Sequence, residues 1–221
     1  MANTTQALII GLGQFGMALA RRLGELGVEV LAIDRHEQLV QQASSFVTEA
    51  VCFDASDESS LARADPSRRD LCVCAIGNEA REAAIIVTAL LRQMGAPRIV
   101  ARAPDDLTER ILRLVGAHEI VNPERAFGER LANRLVWRNI VEELPLGNDL
   151  MITEVHPPPA LVGRSLAQLR LLERFAVNVV ALRTVAGGAT IKPDPERPLA
   201  GDDILVLVSR PEAIRKLLEA T

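Results

Sequence analysis

The sequence predicts an α/β fold, an open and mostly parallel sheet wound by helices on both faces, followed by a smaller α+β unit. Three observations carry this. Short apolar runs alternate with helix-period segments through residues 1–123, the pattern of strand–helix–strand crossovers. The first crossover holds Gly11-Leu12-Gly13-Gln14-Phe15-Gly16 between a strand and a helix, with Asp34 closing the next strand. After residues 144–148 (Leu-Pro-Leu-Gly-Asn) the composition shifts, and a hairpin pattern replaces the alternation.

Taken in order, residues 7–10 form a buried strand that runs into the glycines. Gly11 permits the tight turn, Gly13 lets backbone approach a pyrophosphate, and Gly16 lets the helix pack closely on the strands. The helix carries apolar Met17, Leu19, Ala20, Leu23 and Leu26 and stops at Gly27. Its N-terminus offers free N–H groups and partial positive charge to phosphates. Residues 28–33 are the second strand. Asp34 then suits a ribose diol and favours NAD-type ligands over those with a 2′-phosphate, while Arg35 could pair with such a phosphate or cover an adenine. A helix over 36–45, a strand over 48–53, a short helix over 58–64, a strand over 71–76 and a long helix over 79–94 follow. The sheet ends with strands over 99–103 and 119–121 and a helix over 105–115.

Ligand-facing residues in such sheets sit at the C-terminal strand ends. That rule selects the glycine loop, Asp34, Asp54, Ala75, Ile76, Gly77, Asn78, Arg102 and Glu124. Helix capping is the plain alternative for Asp54 and Asp57, and a surface charge or ion pair for Arg102. The helix over 125–137 carries Phe127, Leu131, Leu135, Val136 and the single Trp137 on an apolar face that needs a cover, such as a partner subunit. The expected organisation is a nucleotide-binding domain over 1–123, a crossover helix and linker over 124–147, and a small α+β domain over 148–221. In the last, a strand over 150–155 is followed by a short helix after Ser165. Hairpin strands over 178–183 and 189–192 flank Gly187-Gly188, and a stiff loop spans 193–198. A strand over 204–208 and a helix over 211–218 complete it.

Composition narrows the function. The 48% apolar content supplies a core, and a net charge of −4 with 3% aromatics argues against nucleic acid. The longest apolar run, over 83–91, falls short of the roughly 20 residues that span a bilayer, and the polar start (Asn3, Thr4, Thr5, Gln6) reads as no signal peptide. Cys52, Cys72 and Cys74 read as buried thiols of a reducing cytoplasm, since nothing completes a metal site around Cys72 and Cys74. Catalysis finds little support. The chain has no tyrosine, which excludes the Tyr–Lys mechanism of short-chain dehydrogenases. His36, His118 and His156 are far apart and read as solvated or capping. The pattern is that of a protein that binds a nucleotide without turning it over.

The glycine loop, Ala75-Ile76-Gly77, Gly116-Ala117-His118-Glu119-Ile120-Val121-Asn122-Pro123-Glu124, Leu161-Val162-Gly163-Arg164-Ser165-Leu166 and Gly201-Asp202-Asp203-Ile204-Leu205 together resemble the RCK (KTN) family. These are the TrkA- and KtrA-like cytosolic regulators of bacterial potassium uptake. The resemblance implies a Rossmann-like N-terminal domain and a TrkA-C-type second domain. It also implies a homodimer assembling into an octameric ring that gates a membrane potassium-translocating subunit from the cytoplasmic side. It implies NAD(H), ADP or ATP as ligand, at Gly11, Gly13, Gln14, Phe15, Gly16, Asp34, Arg35, Asp54, Ala55, Ala75, Ile76, Gly77 and Arg102. Glu124 matches a dimer-interface glutamate that in some members helps to hold a divalent cation. Neutral Gln14 stands where ATP-selective members often carry arginine, which weakens the case for ATP. Leu161, Val162, Gly163, Arg164 and Pro193 match a region that binds cyclic di-AMP in some relatives, although Leu172 replaces a phosphate-binding arginine there. A regulator of another cation transporter, such as a cation/proton antiporter, and a small NAD(P)-dependent oxidoreductase are the alternatives.

Overall fold

The computed structural model describes residues 5–184, 188–191 and 193–219, which form two units, 1–125 and 126–221. Asn3, Thr4, Gly187 and Lys192 lie outside the described residues.

In the first unit β1 (Gln6–Ile10), α1 (Gln14–Glu25), β2 (Glu29–Asp34), α2 (Glu37–Ala43), β3 (Glu49–Cys52), α3 (Glu58–Ala62) and β4 (Leu71–Cys74) are followed by α4 (Arg81–Gln93), β5 (Ile99–Arg102), α5 (Asp106–Val115) and β6 (Glu119–Val121). All six strands are parallel, in the order β3-β2-β1-β4-β5-β6. This is the Rossmann-like doubly wound sheet. The strands are apolar on both sides because each side is covered, as parallel sheets require. Leu8, Ile10, Leu31, Ile33, Cys72 and Cys74 share one core with Val87 and Leu91 of α4 and Leu112 of α5. Ala7, Ile9, Val30, Ala32 and Val73 alternate with them and face Ala20 of α1 and Val40 and Ala43 of α2. Burial pushes the Cys72 thiol up to about 12 and that of Cys74 to about 11. Cys52 departs from expectation. It lies at the end of the edge strand β3 and is exposed.

The long helix expected over 79–94 opens instead as a 3-10 turn (Asn78–Ala80), and Ala80 at φ −136° breaks it from α4. Helix α6 (Pro123–Val136) buries none of its residues, and Phe127, Leu135 and Val136 are exposed. Trp137, expected on that open face, is half-buried against the core of the second unit.

The second unit is a five-stranded antiparallel sheet. Its strands are β7 (Ile140–Gly147), β8 (Leu150–Val155), β9 (Asn178–Thr184), β10 (Gly188–Ile191) and β11 (Ile204–Ser209), in the order β10-β9-β11-β8-β7. Helices α7 (Leu166–Leu169), α8 (Leu171–Phe175) and α9 (Pro211–Glu219) place Leu169, Leu171, Ile214 and Leu217 against Leu205 and Leu207 of β11. Residues 144–148, expected as a linker, are the end of β7 and the start of its turn into β8. Pro145 pairs with Met151 on the edge strand β7, the position in a sheet where proline is tolerated. A capping box at Ser165 and Gln168 starts α7, and Arg170 in the left-handed region (φ +47°) separates α7 from α8. No helix among the described residues is long and apolar enough to cross a membrane.

Candidate functional site

Strand order reverses between β1 and β4, and at the C-terminal ends of these strands lies a cavity of about 440 Å³. That is the size and place where doubly wound sheets take ligands. The glycine loop forms one wall. Gly11 sits at φ +95°, with Ile76 N 3.0 Å from where a Cβ would stand, so only glycine fits without strain. Gly13 is the N-cap of α1, in extended backbone with no capping side chain and no acid in the helix's first turn. The first N–H groups of α1 therefore have neither an intrahelical acceptor nor a side-chain one. A Cβ on Gly13 would meet nothing within 4 Å, so the space beside this backbone is open. Gly16 does the opposite and packs inward on Gly11.

Asp34 ties the loop to β2. Its Oδ2 accepts the Leu12 N–H at 2.7 Å, and its Oδ1 accepts the His36 N–H at 2.8 Å and the His36 ring Nδ1–H at 2.9 Å. A carboxylate only accepts, so Nδ1 carries the proton. Asp54, exposed at the rim, accepts from Ser56 Oγ at 2.6 Å and Ser56 N at 2.9 Å, and these bonds hold its carboxyl below the usual carboxylate range. Asp57 is the cap of α3, accepting from Ser59 N. Arg102 ends β5 largely buried, pairs with Glu124, and has its Nε buried without a partner.

Of the residues expected at the ligand, Gly11, Gly13, Asp34, Arg35, Asp54, Ala55, Ala75, Ile76, Gly77 and Arg102 line this cavity. Gln14, Phe15 and Gly16 do not. Gln14 is exposed, Phe15 packs on the core under α1, and Gly16 is buried in the turn. Sequence reasoning missed the apolar wall of Ile33, Leu39 and Phe53, which flanks Asp34 and suits a flat base, as well as His36 and Glu79. The signal for His36 was its place two residues after the acid. His118 and His156 stand elsewhere: His118 Nδ1 accepts the Ile99 N–H, and His156 Nδ1 meets the Asp203 carbonyl at 3.0 Å.

Among the described residues no group of three or more His, Cys, Asp or Glu could hold a metal. The Glu124 carboxylate is taken up by Arg102. Within one chain these residues do not make a cation site. A second cavity, of about 310 Å³, lies between α7–α8 and Pro193–Pro195 and includes Leu172 and Asn178. Of the second-site residues only Pro193 lines it. Leu161 is buried in the core, Val162 and Arg164 are exposed, and Gly163 turns at φ +82°.

Fold and cavity define a protein of two units, the first a Rossmann-like doubly wound sheet with a cavity at its switch point. The chain belongs to the TrkA family: the TrkA-N domain matches residues 7–123 and the TrkA-C domain residues 150–221. The Ktr system potassium uptake protein C of Bacillus subtilis is 32% identical over 90% of this chain and 90% of its own length. The Ktr system potassium uptake protein A of Vibrio alginolyticus is 31% identical over 97% of both. Among solved structures, the GsuK channel bound to NAD superposes on 98% of this chain with a TM-score of 0.67 at 17% identity. This chain corresponds to 40% of that one, and at that identity the likeness concerns the fold.

Proposed function

We propose that this chain is the nucleotide-sensing regulatory subunit of a potassium uptake system of the Ktr or Trk type. An adenine nucleotide, NAD(H), ADP or ATP, binds at the switch-point cavity and changes the conformation of a homodimer within an octameric ring. The ring gates a membrane potassium-translocating subunit from the cytoplasmic side. The observation that carries this is the cavity itself, with an uncapped helix N-terminus, Asp34 beside the glycine loop, an apolar wall for a base, and Arg35 and Arg102 as cations. The near full-length likeness to two Ktr proteins supplies the transport role. Neutral Gln14 favours NAD(H) or ADP over ATP. The output is conformational and no bond is made or broken.

Binding alone gates nothing, because a ligand shifts an equilibrium only by its difference in affinity for the two states. Purified chain is to be titrated with NAD, NADH, ADP and ATP by calorimetry, with native mass and small-angle scattering on each complex. At least one ligand is expected to bind and to change the scattering profile of the oligomer. Equal affinities with an unchanged profile would end the gating proposal, and so would a stable monomer.

Gly13→Ala is the matched variant. The backbone of Gly13 (φ −64°) accepts an L-residue and its Cβ meets nothing, so stability should fall by no more than about 1 kcal/mol, the cost of alanine at an N-cap. The new methyl nevertheless stands where a pyrophosphate would touch the backbone. Affinity for NAD is expected to fall at least tenfold, and undiminished affinity in the folded variant would remove the phosphates from this loop.

A further inference from the structure

The carboxylate that should read a ribose is already in use. Asp34 is nine-tenths buried, and Oδ1 holds two donors, the His36 N–H and the His36 ring Nδ1–H. Those occupy both lone-pair directions of that oxygen, while Oδ2 holds Leu12 N–H and has one direction left. A 2′,3′-diol binding through both hydroxyls needs more than this. Of the three donors, two belong to backbone that holds the loop and the entrance to α2. The third is a side chain on a rotatable arm, 60% exposed at the cavity wall.

We propose that His36 is the specificity-determining residue of the ribose subsite, a latch on Asp34 that a nucleotide with a free 2′,3′-diol must displace. The proposal rests on the reading of this cavity as a nucleotide site. The latch is strengthened by protonation, since an imidazolium on a buried carboxylate is a charge-assisted bond whereas neutral imidazole makes an ordinary one. Histidine is also the side chain whose charge changes between pH 5 and 8. Acid should therefore close the subsite to diols. The other ionisable groups around the ring are Arg35, Asp54, Glu79 and Arg102, which line the same cavity, and Cys52 on β3, which Asp34 and Glu37 both face.

NAD is the probe, because its phosphodiester pyrophosphate keeps its charge over this range. Calorimetric affinities of the full chain for NAD are to be measured at pH 8.0 and 5.5 for the natural chain and for His36→Gln and His36→Ala. The natural chain is expected to bind NAD about tenfold more weakly at pH 5.5 than at pH 8.0. Both variants should lose this pH dependence. His36→Ala, with no latch, should bind at pH 5.5 at least as tightly as the natural chain does at pH 8.0. NAD binding with the same pH profile in all three proteins overturns the latch and leaves the nucleotide site standing. No NAD binding at either pH overturns both. Thermal unfolding of each variant within about 2 °C of the natural chain shows that a largely exposed histidine was removed without loss of fold.

Discussion

Replacing Gly16 by alanine is expected to destabilise the N-terminal unit by about 3 kcal/mol or more. Helix propensity argues the reverse, since alanine within a helix gains up to about 1 kcal/mol over glycine. The contact decides. A Cβ at position 16 would stand 1.9 Å from the Gly11 carbonyl oxygen and 3.0 Å from the Gly11 carbonyl carbon. Side chains yield to such contacts by rotating, but this neighbour is backbone, and it is held. Gly11 N–H bonds Ile33 O at 2.8 Å, its own Cβ position faces Ile76 N at 3.0 Å, and the following Leu12 N–H is tied to Asp34. To relieve the clash α1 must lift from β1 and β4, opening the core around Leu12 and Ala20. Urea unfolding of Gly16→Ala beside Gly13→Ala is the measurement. A large loss in the first and a small one in the second assigns packing to Gly16 and leaves Gly13 free for ligand contact. Equal midpoints for the two would mean that the loop is not packed as described.

That contrast shows what the sequence discloses about this site and what it withholds. Spacing alone located the loop, the strand ends that line the cavity, and Asp34, because each answers to a local rule of turn, period or charge; the strand order that creates the switch point came from the structure. It did not reveal that Asp34 spends its oxygens on Leu12 and His36. That depends on a turn returning a ring onto the residue two before it, and no periodicity reports it. The same holds for Arg102. As a lone arginine at a strand end it could be a surface charge, an ion pair or a ligand contact. It is an ion pair with Glu124 that also lines the cavity, a fact set by the fold of the chain between residues 102 and 124.

In the second unit, turn chemistry misled. Pro145, Gly147 and Asn148 are turn formers, yet Pro145 pairs with Met151 on an edge strand, where proline is tolerated, and the ladder shifts register between Pro145 and Gly147. Composition says that a proline is present. Only sheet order says that the strand is an edge.

The segment Gly201-Asp202-Asp203 carries the second large effect, and the structure supplies the physical reason. Asp203 is 1% exposed, accepts two bonds from Arg197 at 2.7 and 3.0 Å, and caps the turn through Ala200 N–H at 2.8 Å. Burial by itself would raise its carboxyl, but the Arg197 fork and the Ala200 N–H outweigh it and hold the group below the usual carboxylate range. Asp203→Asn removes the charge and replaces one of the two acceptor oxygens by an amide donor that faces the guanidinium. Removing one partner of a buried pair costs about 3–5 kcal/mol. Arg197 is more than a third exposed and regains water, so the lower end, about 3 kcal/mol, is expected at pH 7. For a unit of this size that lowers its thermal midpoint by about 15 °C. The acid limb follows from the sign of the shift. A depressed carboxyl contributes stability that is present above its unfolded value, near 4, and is lost as pH falls through the lower folded one. The natural chain should therefore lose this contribution below about pH 4, and Asp203→Asn, already without it, should show a flatter stability profile there. If the variant and the natural chain lost stability in parallel between pH 4 and 2, the loop over residues 197–203 would be held by something other than this carboxylate.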